Sequence, residues 1–256
     1  DDAVGLLEKV LTLRGEDTET LASLANLHEA AGRYRELIDV LERQLASEND
    51  HERRVTIALR IPAVYLHHLR DAERAIEGYR RVLDIEPQSF DALRALADIY
   101  RAQQSWEALV ETDQTLISLG AAVLPAEEIK AAYTELGTIF WGTLHQGWEA
   151  VDAWNHVLEI DPKDLQAIEA LLAIHTAQGE WRDVVTVLQK KADAQTDDAA
   201  KVPIYLQMAG VWEQQIEEPD GARGAYEKVL EIEALHEHAF RALEGLHQQH
   251  ERWDEL

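Results

Sequence analysis

The chain of 256 residues contains no cysteine. Disulfides, thiolate zinc sites and thiol catalysis are therefore excluded. Six prolines and thirteen glycines are few for this length, and a chain so poor in breakers suits helix. No stretch reaches the roughly 18 consecutive apolar residues of a membrane-spanning helix. Basic residues are scarce too: 24 Lys and Arg against 49 Asp and Glu leave a formal charge of −25. Such a surface repels nucleic acid and anionic lipid, because affinity for phosphate backbones comes from Lys and Arg displacing counterions. Neither nucleic acid nor membrane is an expected partner. There is no signal peptide and no initiator Met. The chain opens Asp1-Asp2-Ala3, and we expect a soluble segment from within a longer protein, its compartment left open.

Hydrophobic residues make up 46% of the chain, enough to bury a core. They are arranged around a phrase that returns four times: Glu8-Lys9-Val10-Leu11, Arg80-Arg81-Val82-Leu83, Asn155-His156-Val157-Leu158 and Glu227-Lys228-Val229-Leu230. The valines are 72, 75 and 72 residues apart. Tyr34, Trp106, Trp181 and Trp253 keep the same beat, each followed three residues later by Leu37, Leu109, Val184 or Leu256. Two landmarks with one spacing mean internal repetition. If the register is right, all four valines are core positions and should be nearly fully buried.

Apolar periodicity and turn residues predict helices over 2–14, 19–31, 34–47, 51–69, 71–85, 90–104, 106–119, 126–144, 148–160, 165–178, 181–194, 202–216, 222–232 and 236–250, with another starting at Trp253. No strand pattern competes. Half the 72-residue beat is one helix–turn–helix unit, which buries its apolar face only by stacking on neighbours. The 75-residue interval places three extra residues between Trp106 and Phe140, most simply in the 120–124 loop.

The second helices carry the family signal. Ala75, Tyr79, Val82 and Pro87, and again Ala150, Trp154, Val157 and Pro162, resemble the second helix of the tetratricopeptide repeat, a unit of about 34 residues. Ala222-Tyr226-Val229 is similar, with Ala234 where proline would stand, and Ala3-Leu7-Val10 is a weaker copy. Among first helices, Leu96-Ala97 with Tyr100, and Leu24-Ala25 with His28, resemble the same pattern. The resemblance spans essentially the whole chain. It implies an all-α, right-handed α-solenoid of stacked antiparallel hairpins. We expect a single solenoid with full hairpins at 17–47, 50–85, 89–119, 125–160, 164–194 and 197–232, and half-hairpins at both ends. The units alternate. In one kind Leu37, Leu109 and Val184 replace the second-helix alanine. In the other, Pro62, Gly137 and Ala209 occupy the small position of the first helix, and Pro62 should cost its helix a hydrogen bond.

Motifs that carry chemistry are wanting. The chain shows no glycine-rich phosphate loop, no GxSxG, no HExxH and no EF-hand spacing. Eleven histidines include the pairs His236/His238, His247/His250 and His67/His68, but none forms a three-ligand cluster with suitable spacing. His28, His175 and His247 fall where Tyr100 stands in the repeat and read as packing residues. The acid pairs Glu217-Glu218, Asp197-Asp198 and Glu127-Glu128 lie in turns or first helical turns, where the helix dipole favours them. No catalytic residue, cofactor or metal is expected.

The in-register rings of Tyr34, Trp106, Trp181 and Trp253 read as core. Trp141 is out of register, since Leu66 and Glu213 stand at its position, and it should face inward. The resemblance places the inner, concave surface on the first helices: Ala22, Asn26 and Glu29; Arg94, Asp98 and Arg101; Glu169, Ala173 and Thr176; Arg241, Gly245 and Gln248. Some members of the family clamp a peptide carboxylate there. Asn26 lacks the neighbouring lysine of that clamp, Ala22 standing in its place. The expected function is a non-catalytic scaffold binding a peptide or protein through Arg94, Arg101, Thr138 and Trp141. The alternatives are a structural, self-assembling solenoid and the recruiting arm of an enzyme whose catalytic domain lies outside this segment. Val4, Leu6, Leu7, Val10, Leu11 and Leu13 give the first helix more apolar surface than one packing face needs, so end-to-end self-association is also expected.

Overall fold

The computed structural model describes residues 2–249, with side chains through Leu246. Trp253, Leu256, His250 and the side chains of His247 and Gln248 lie outside the described residues. Every element among the described residues is helical. The chain divides into two compact units, the second beginning at Leu124. The first holds α1 (Asp2–Arg14), α2 (Thr18–Ala30), α3 (Tyr34–Ser47), α4 (His51–His67), α5 (Ala72–Ile85), α6 (Phe90–Gln103) and α7 (Trp106–Gly120). The second holds α8 (Ala126–Ile139), α9 (Gly147–Ile160), α10 (Leu165–Gln178), α11 (Trp181–Ala194), α12 (Asp198–Val211), α13 (Pro219–Ile232) and α14 (Glu237–Gln249). Within each unit consecutive helices pair as antiparallel hairpins, and each hairpin packs on the next. The fold class is the expected all-α stack of hairpins.

Short polar side chains start the first helices. Asp17, Asp50, Asp71, Ser89, Asp164 and Asp197 each accept a hydrogen bond from a backbone N–H in the first turn, which satisfies a donor the helix cannot. Asp71 is the exception in kind, since it begins a second helix. Asp197 also moves one boundary: α12 starts four residues earlier than apolar periodicity predicts, and α13, with Pro219 in its first turn, starts three residues earlier.

The two kinds of hairpin differ in how they turn. After α2, α6 and α10, the residues Arg33, Ser105 and Glu180 donate their N–H to the carbonyls of His28, Tyr100 and His175, five positions back, each at 2.9 Å. After α4, α8 and α12 the reach is six positions: Asp71 to Tyr65, Gln146 to Phe140 and Glu218 to Trp212, at 3.0, 2.8 and 3.1 Å. The extra residue is absorbed as a π-helical turn at Phe140–Leu144 and at Trp212–Ile216. The continuous helix expected over 126–144 is thus corrected to α8 plus this wider turn. Every one of these turns contains a left-handed residue. Glycine supplies it at Gly32 and Gly179, but Arg70, Gln104, His145 and Glu217 adopt it with φ between 55° and 59°. That conformation costs a side-chain-bearing residue about 1–2 kcal/mol, which the closing hydrogen bonds and packing offset.

The seam of the second helices is as the register requires. Val82, Val157 and Val229 are fully buried, as are Ala75, Ala150 and Ala222, with Tyr79, Trp154 and Tyr226 beside them. Val10 is only half-buried, and Leu11 takes the core position on α1. The expectation of four equivalent buried valines therefore fails at Val10: α1 packs chiefly on α2, and Leu11 rather than Val10 enters the core there. Tyr34, Trp106 and Trp181 are half-buried rather than central. Tyr34 stacks on His68 with ring centroids 4.0 Å apart. Pro62 sits buried inside α4, which continues to His67 despite the missing N–H. The three extra residues divide: α7 is one residue longer than α3 or α11, and the 121–125 connection is two longer than 48–50 or 195–197. They fall where the two units part.

Charge laces the second helices together. Arg43 on α3 reaches Glu8 on α1 at 3.0 Å, Arg81 on α5 reaches Glu42 on α3 at 2.9 Å, and Lys228 on α13 reaches Gln189 on α11 at 2.7 Å. In the second unit, Lys130 on α8 holds Asp161 at 3.1 Å and Asp164 at 3.2 Å. Bonding to those carboxylates raises the Lys130 ammonium above its ordinary value, and bonding to Lys130 holds the Asp161 carboxyl below 3.8. A bond to Thr20 lowers Asp17, and a bond to His51 lowers Glu86.

Two outcomes are expected. A depressed carboxyl contributes stability that is present above its unfolded value and is lost as pH falls through the folded one; a raised ammonium contributes below its unfolded value. The melting temperature should therefore hold between pH 7 and about pH 5 and drop below about pH 4. Lys130→Met should lower it at pH 7 and make little difference at pH 2, checked by circular dichroism. The second outcome uses two helical glycines. A Cβ on Gly137 would lie 2.7 Å from the Trp154 indole, whereas one on Gly210 meets nothing within 4 Å. Gly137→Ala should destabilise by roughly 1–3 kcal/mol through overpacking, and Gly210→Ala should stabilise by about 0.5–1 kcal/mol through helix propensity, both measured by urea unfolding.

Candidate interaction surfaces

Along α6 the side chains alternate. Leu93, Ala97 and Tyr100 are buried, and the residue after each, Arg94, Asp98 and Arg101, is exposed. Helical geometry puts Arg94 and Arg101 two turns apart on one face, so the structure brings these two candidates together. Both are engaged within their own helix: Arg101 with Asp98 at 2.6 Å, Arg94 with Asp91 at 3.6 Å. Arg94 also lies over the Phe90 ring, 5.9 Å from its centroid. Exposed i,i+3 pairs of this kind contribute little to stability.

Thr138 and Trp141 belong to the second unit. Thr138 is exposed near the end of α8 and donates its hydroxyl to the Thr134 carbonyl at 2.8 Å. Trp141 sits in the π-helical turn and is half-buried. A Cβ on Gly147 would come within 3.8 Å of its ring. Part of the indole is thus spent on the turn into α9, and the remainder is open. Thr138 and Trp141 are three positions apart across the α-to-π junction, while Arg94 and Arg101 stand in the other unit. The four residues therefore form two pairs, one in each unit.

The remaining inner positions behave similarly. Asn26, Glu29, Glu169, Ala173, Thr176 and Arg241 are exposed, and Ala22 and Gly245 are half-buried. Glu29 is bridged to Arg60 on α4 at 2.8 Å, and Glu169 to Lys191 on α11 at 2.6 Å. In the first unit a pocket of about 380 Å³ opens between α2 and α4, bordered by Ala22, Gln44, Arg53 and Arg60. Gln44 is buried there, and its Oε1 has no protein donor.

Trp148 is the aromatic that repeat reasoning should have caught. It is 81% exposed at the start of α9. Glu73 and Asp220 stand at its register in the other hairpins of its kind, so the out-of-register test that singles out Trp141 singles out Trp148 as well. It borders a pocket of about 240 Å³ with Val151, His175, Gln178, Glu180 and Asp183.

The tetratricopeptide-repeat family model matches residues 20–55, which lie on α2, α3 and the start of α4. Anaphase-promoting complex subunit 7 of Dictyostelium discoideum is 31% identical over 117 residues, covering 44% of this chain and 19% of that protein. The chain thus spans about a fifth of the length of this curated relative. Among solved structures, that of Naa15/Naa10 bound to HypK-THB is 18% identical with a TM-score of 0.53, covering 95% of this chain and 36% of that one. The C-terminal part of a TPR repeat-containing protein from Cytophaga hutchinsonii is 12% identical with a TM-score of 0.46, covering 94% and 93%. The matched segment carries one two-helix unit of that family, and antiparallel two-helix units recur through both compact units.

Proposed function

We propose that the array is a non-catalytic scaffold that holds a peptide or protein partner on the exposed positions of its first helices. The observation that carries this reading is the alternation on α6, joined on α8 by Thr138, exposed directly after the buried Gly137. A residue next to each buried core position is presented outward on a rigid helix, which is the geometry a binding surface needs. Arg94 and Arg101 form one subsite, suited to a carboxylate of the partner. Thr138 and Trp141 form another, suited to an apolar or aromatic side chain, since a partly open indole is a strong anchor. The overall charge of −25 attracts a partner that is basic elsewhere and speeds encounter at low salt. The curated relative is by its name a subunit of a complex, and the solved neighbour is a complex with bound HypK-THB; both accord with a scaffold.

The test begins with partners captured by crosslinking from the source cell and refined to a peptide. Arg94→Glu with Arg101→Glu, and separately Trp141→Ala, should each weaken that peptide by about 1–3 kcal/mol in calorimetry while leaving the melting temperature within a few degrees. Undiminished binding in both variants removes these subsites.

A second reading, self-association, is favoured by exposed apolar side chains: Leu6 at 63% and Leu13 at 85% on α1, and Phe240 at 52% on α14. Sedimentation of the chain should then show mass rising with concentration, reversed by Leu6→Glu with Leu13→Glu. A constant monomer mass at high concentration removes it.

A further inference from the structure

The α10–α11 hairpin differs from its counterparts at the turn. His175, at the end of α10, is 8% exposed, and its Nδ1 lies 2.7 Å from Glu180 Oε2. Asp183, one helical turn further on, is exposed. One ligand atom from each of His175, Glu180 and Asp183 lies within 4.8 Å of the others, and this is the one such trio of histidine and carboxylates among the described residues. All three border the pocket of about 240 Å³ that also contains Trp148, Gln178 and Lys190.

The fold does not require this trio. The hairpins of the same kind carry His28, Arg33 and Glu36, or Tyr100, Ser105 and Ala108, at these positions. Their turns close with the same 2.9 Å backbone bond. Nor is Glu180 needed to cap α11: it occupies the capping position, but its side chain makes no capping hydrogen bond and turns to His175 instead. A buried histidine at this register also does without an acid, since Nδ1 of His28 has no protein partner at all.

We propose that His175, Glu180 and Asp183 bind a divalent transition-metal ion of the zinc class. One imidazole and two carboxylates match the nitrogen and oxygen donors that zinc and cobalt accept; magnesium and calcium prefer oxygen alone. The two carboxylates balance a dication. Two positive features oppose them, the exposed Lys190 side chain and the N-terminal end of α11. Bonds of about 2.0–2.1 Å to a tetrahedral ion require donors about 3.3 Å apart. Rotation of the exposed Asp183 side chain supplies that closure, and the remaining position is open to water from the pocket.

The sequence concealed this site because its ligands straddle a hairpin turn, at i, i+5 and i+8, a spacing that fits neither one helix face nor a linear zinc motif. The experiment uses the whole chain, freed of metal by a chelator and without a histidine tag. Zn²⁺ is titrated by calorimetry, and Co²⁺ by visible absorption and by quenching of Trp148 emission. One equivalent should bind, and Trp148→Phe should remove most of the quenching without weakening binding. His175→Tyr, which installs the ring found at Tyr100, and Asp183→Asn should each weaken binding by at least about tenfold. His28→Tyr should leave it unchanged. If His175→Tyr perturbs folding, the exposed Asp183→Asn alone carries the test. Absence of stoichiometric binding, equal affinity in Asp183→Asn, or preference for Mg²⁺ or Ca²⁺ over Zn²⁺ overturns the proposal.

Discussion

Each hairpin depends on one backbone hydrogen bond, the N–H that reaches back across the turn to close the end of the first helix. It fixes the angle at which the second helix departs, and so which residues of that helix meet the first. The five-residue reach of α2, α6 and α10 brings Leu37, Leu109 and Val184 to the core; the six-residue reach of α4, α8 and α12 brings Ala75, Ala150 and Ala222. The alternation of large and small residues along the second helices is thus the counterpart of a one-residue difference in the turns. Left-handed residues with side chains persist at Arg70, Gln104, His145 and Glu217 because the bond and the packing on either side leave the chain no other path.

The repeat made most of this fold legible. Apolar period, proline and glycine place nearly every helix, and the buried seam of Val82, Val157 and Val229 follows from spacing alone. What escaped is local chemistry that periodicity does not weigh. Asp197 and Pro219 extend helices backwards through capping, an effect of one side chain rather than of a pattern. The π-helical turns at Phe140 and Trp212 leave no compositional trace; only the one-residue lengthening from ring to second-helix alanine marks them. Val10 shows that register alone does not bury a residue: on α1, which packs chiefly on α2, Leu11 is buried and Val10 is not.

The surfaces were less legible than the fold for a related reason. Exposure of Arg94, Asp98 and Arg101 follows from helix phase, because each succeeds a buried residue. Trp148 and the trio around His175 depend on two helices meeting across a turn, so no window along the chain displays them together. Their one sequence signal is negative, a residue that breaks the register of its repeat. Trp148 stands where the other hairpins place acids, and Glu180 where they place arginine or serine. Departures from a repeat are where such a chain is freest to acquire chemistry, because the stacking faces constrain everything else.

The close contacts inside the hairpins carry an evolutionary consequence. In the α4–α5 hairpin the small partner is on the second helix, where Gly78 admits the ring of Pro62; in α8–α9 it is on the first, where Gly137 admits the indole of Trp154. The two solve one steric problem from opposite sides. Duplicated hairpins that have diverged in this way are no longer interchangeable parts. Recombination that joined α4 to α9 would set Pro62 against Trp154 and against Ala153, whose methyl stands where Gly78 has none, and one that joined α8 to α5 would set Gly137 against Tyr79 beside Gly78 and leave a gap. A hairpin of mixed origin would therefore carry a clash or a gap at this contact, whereas exchange of whole hairpins preserves it.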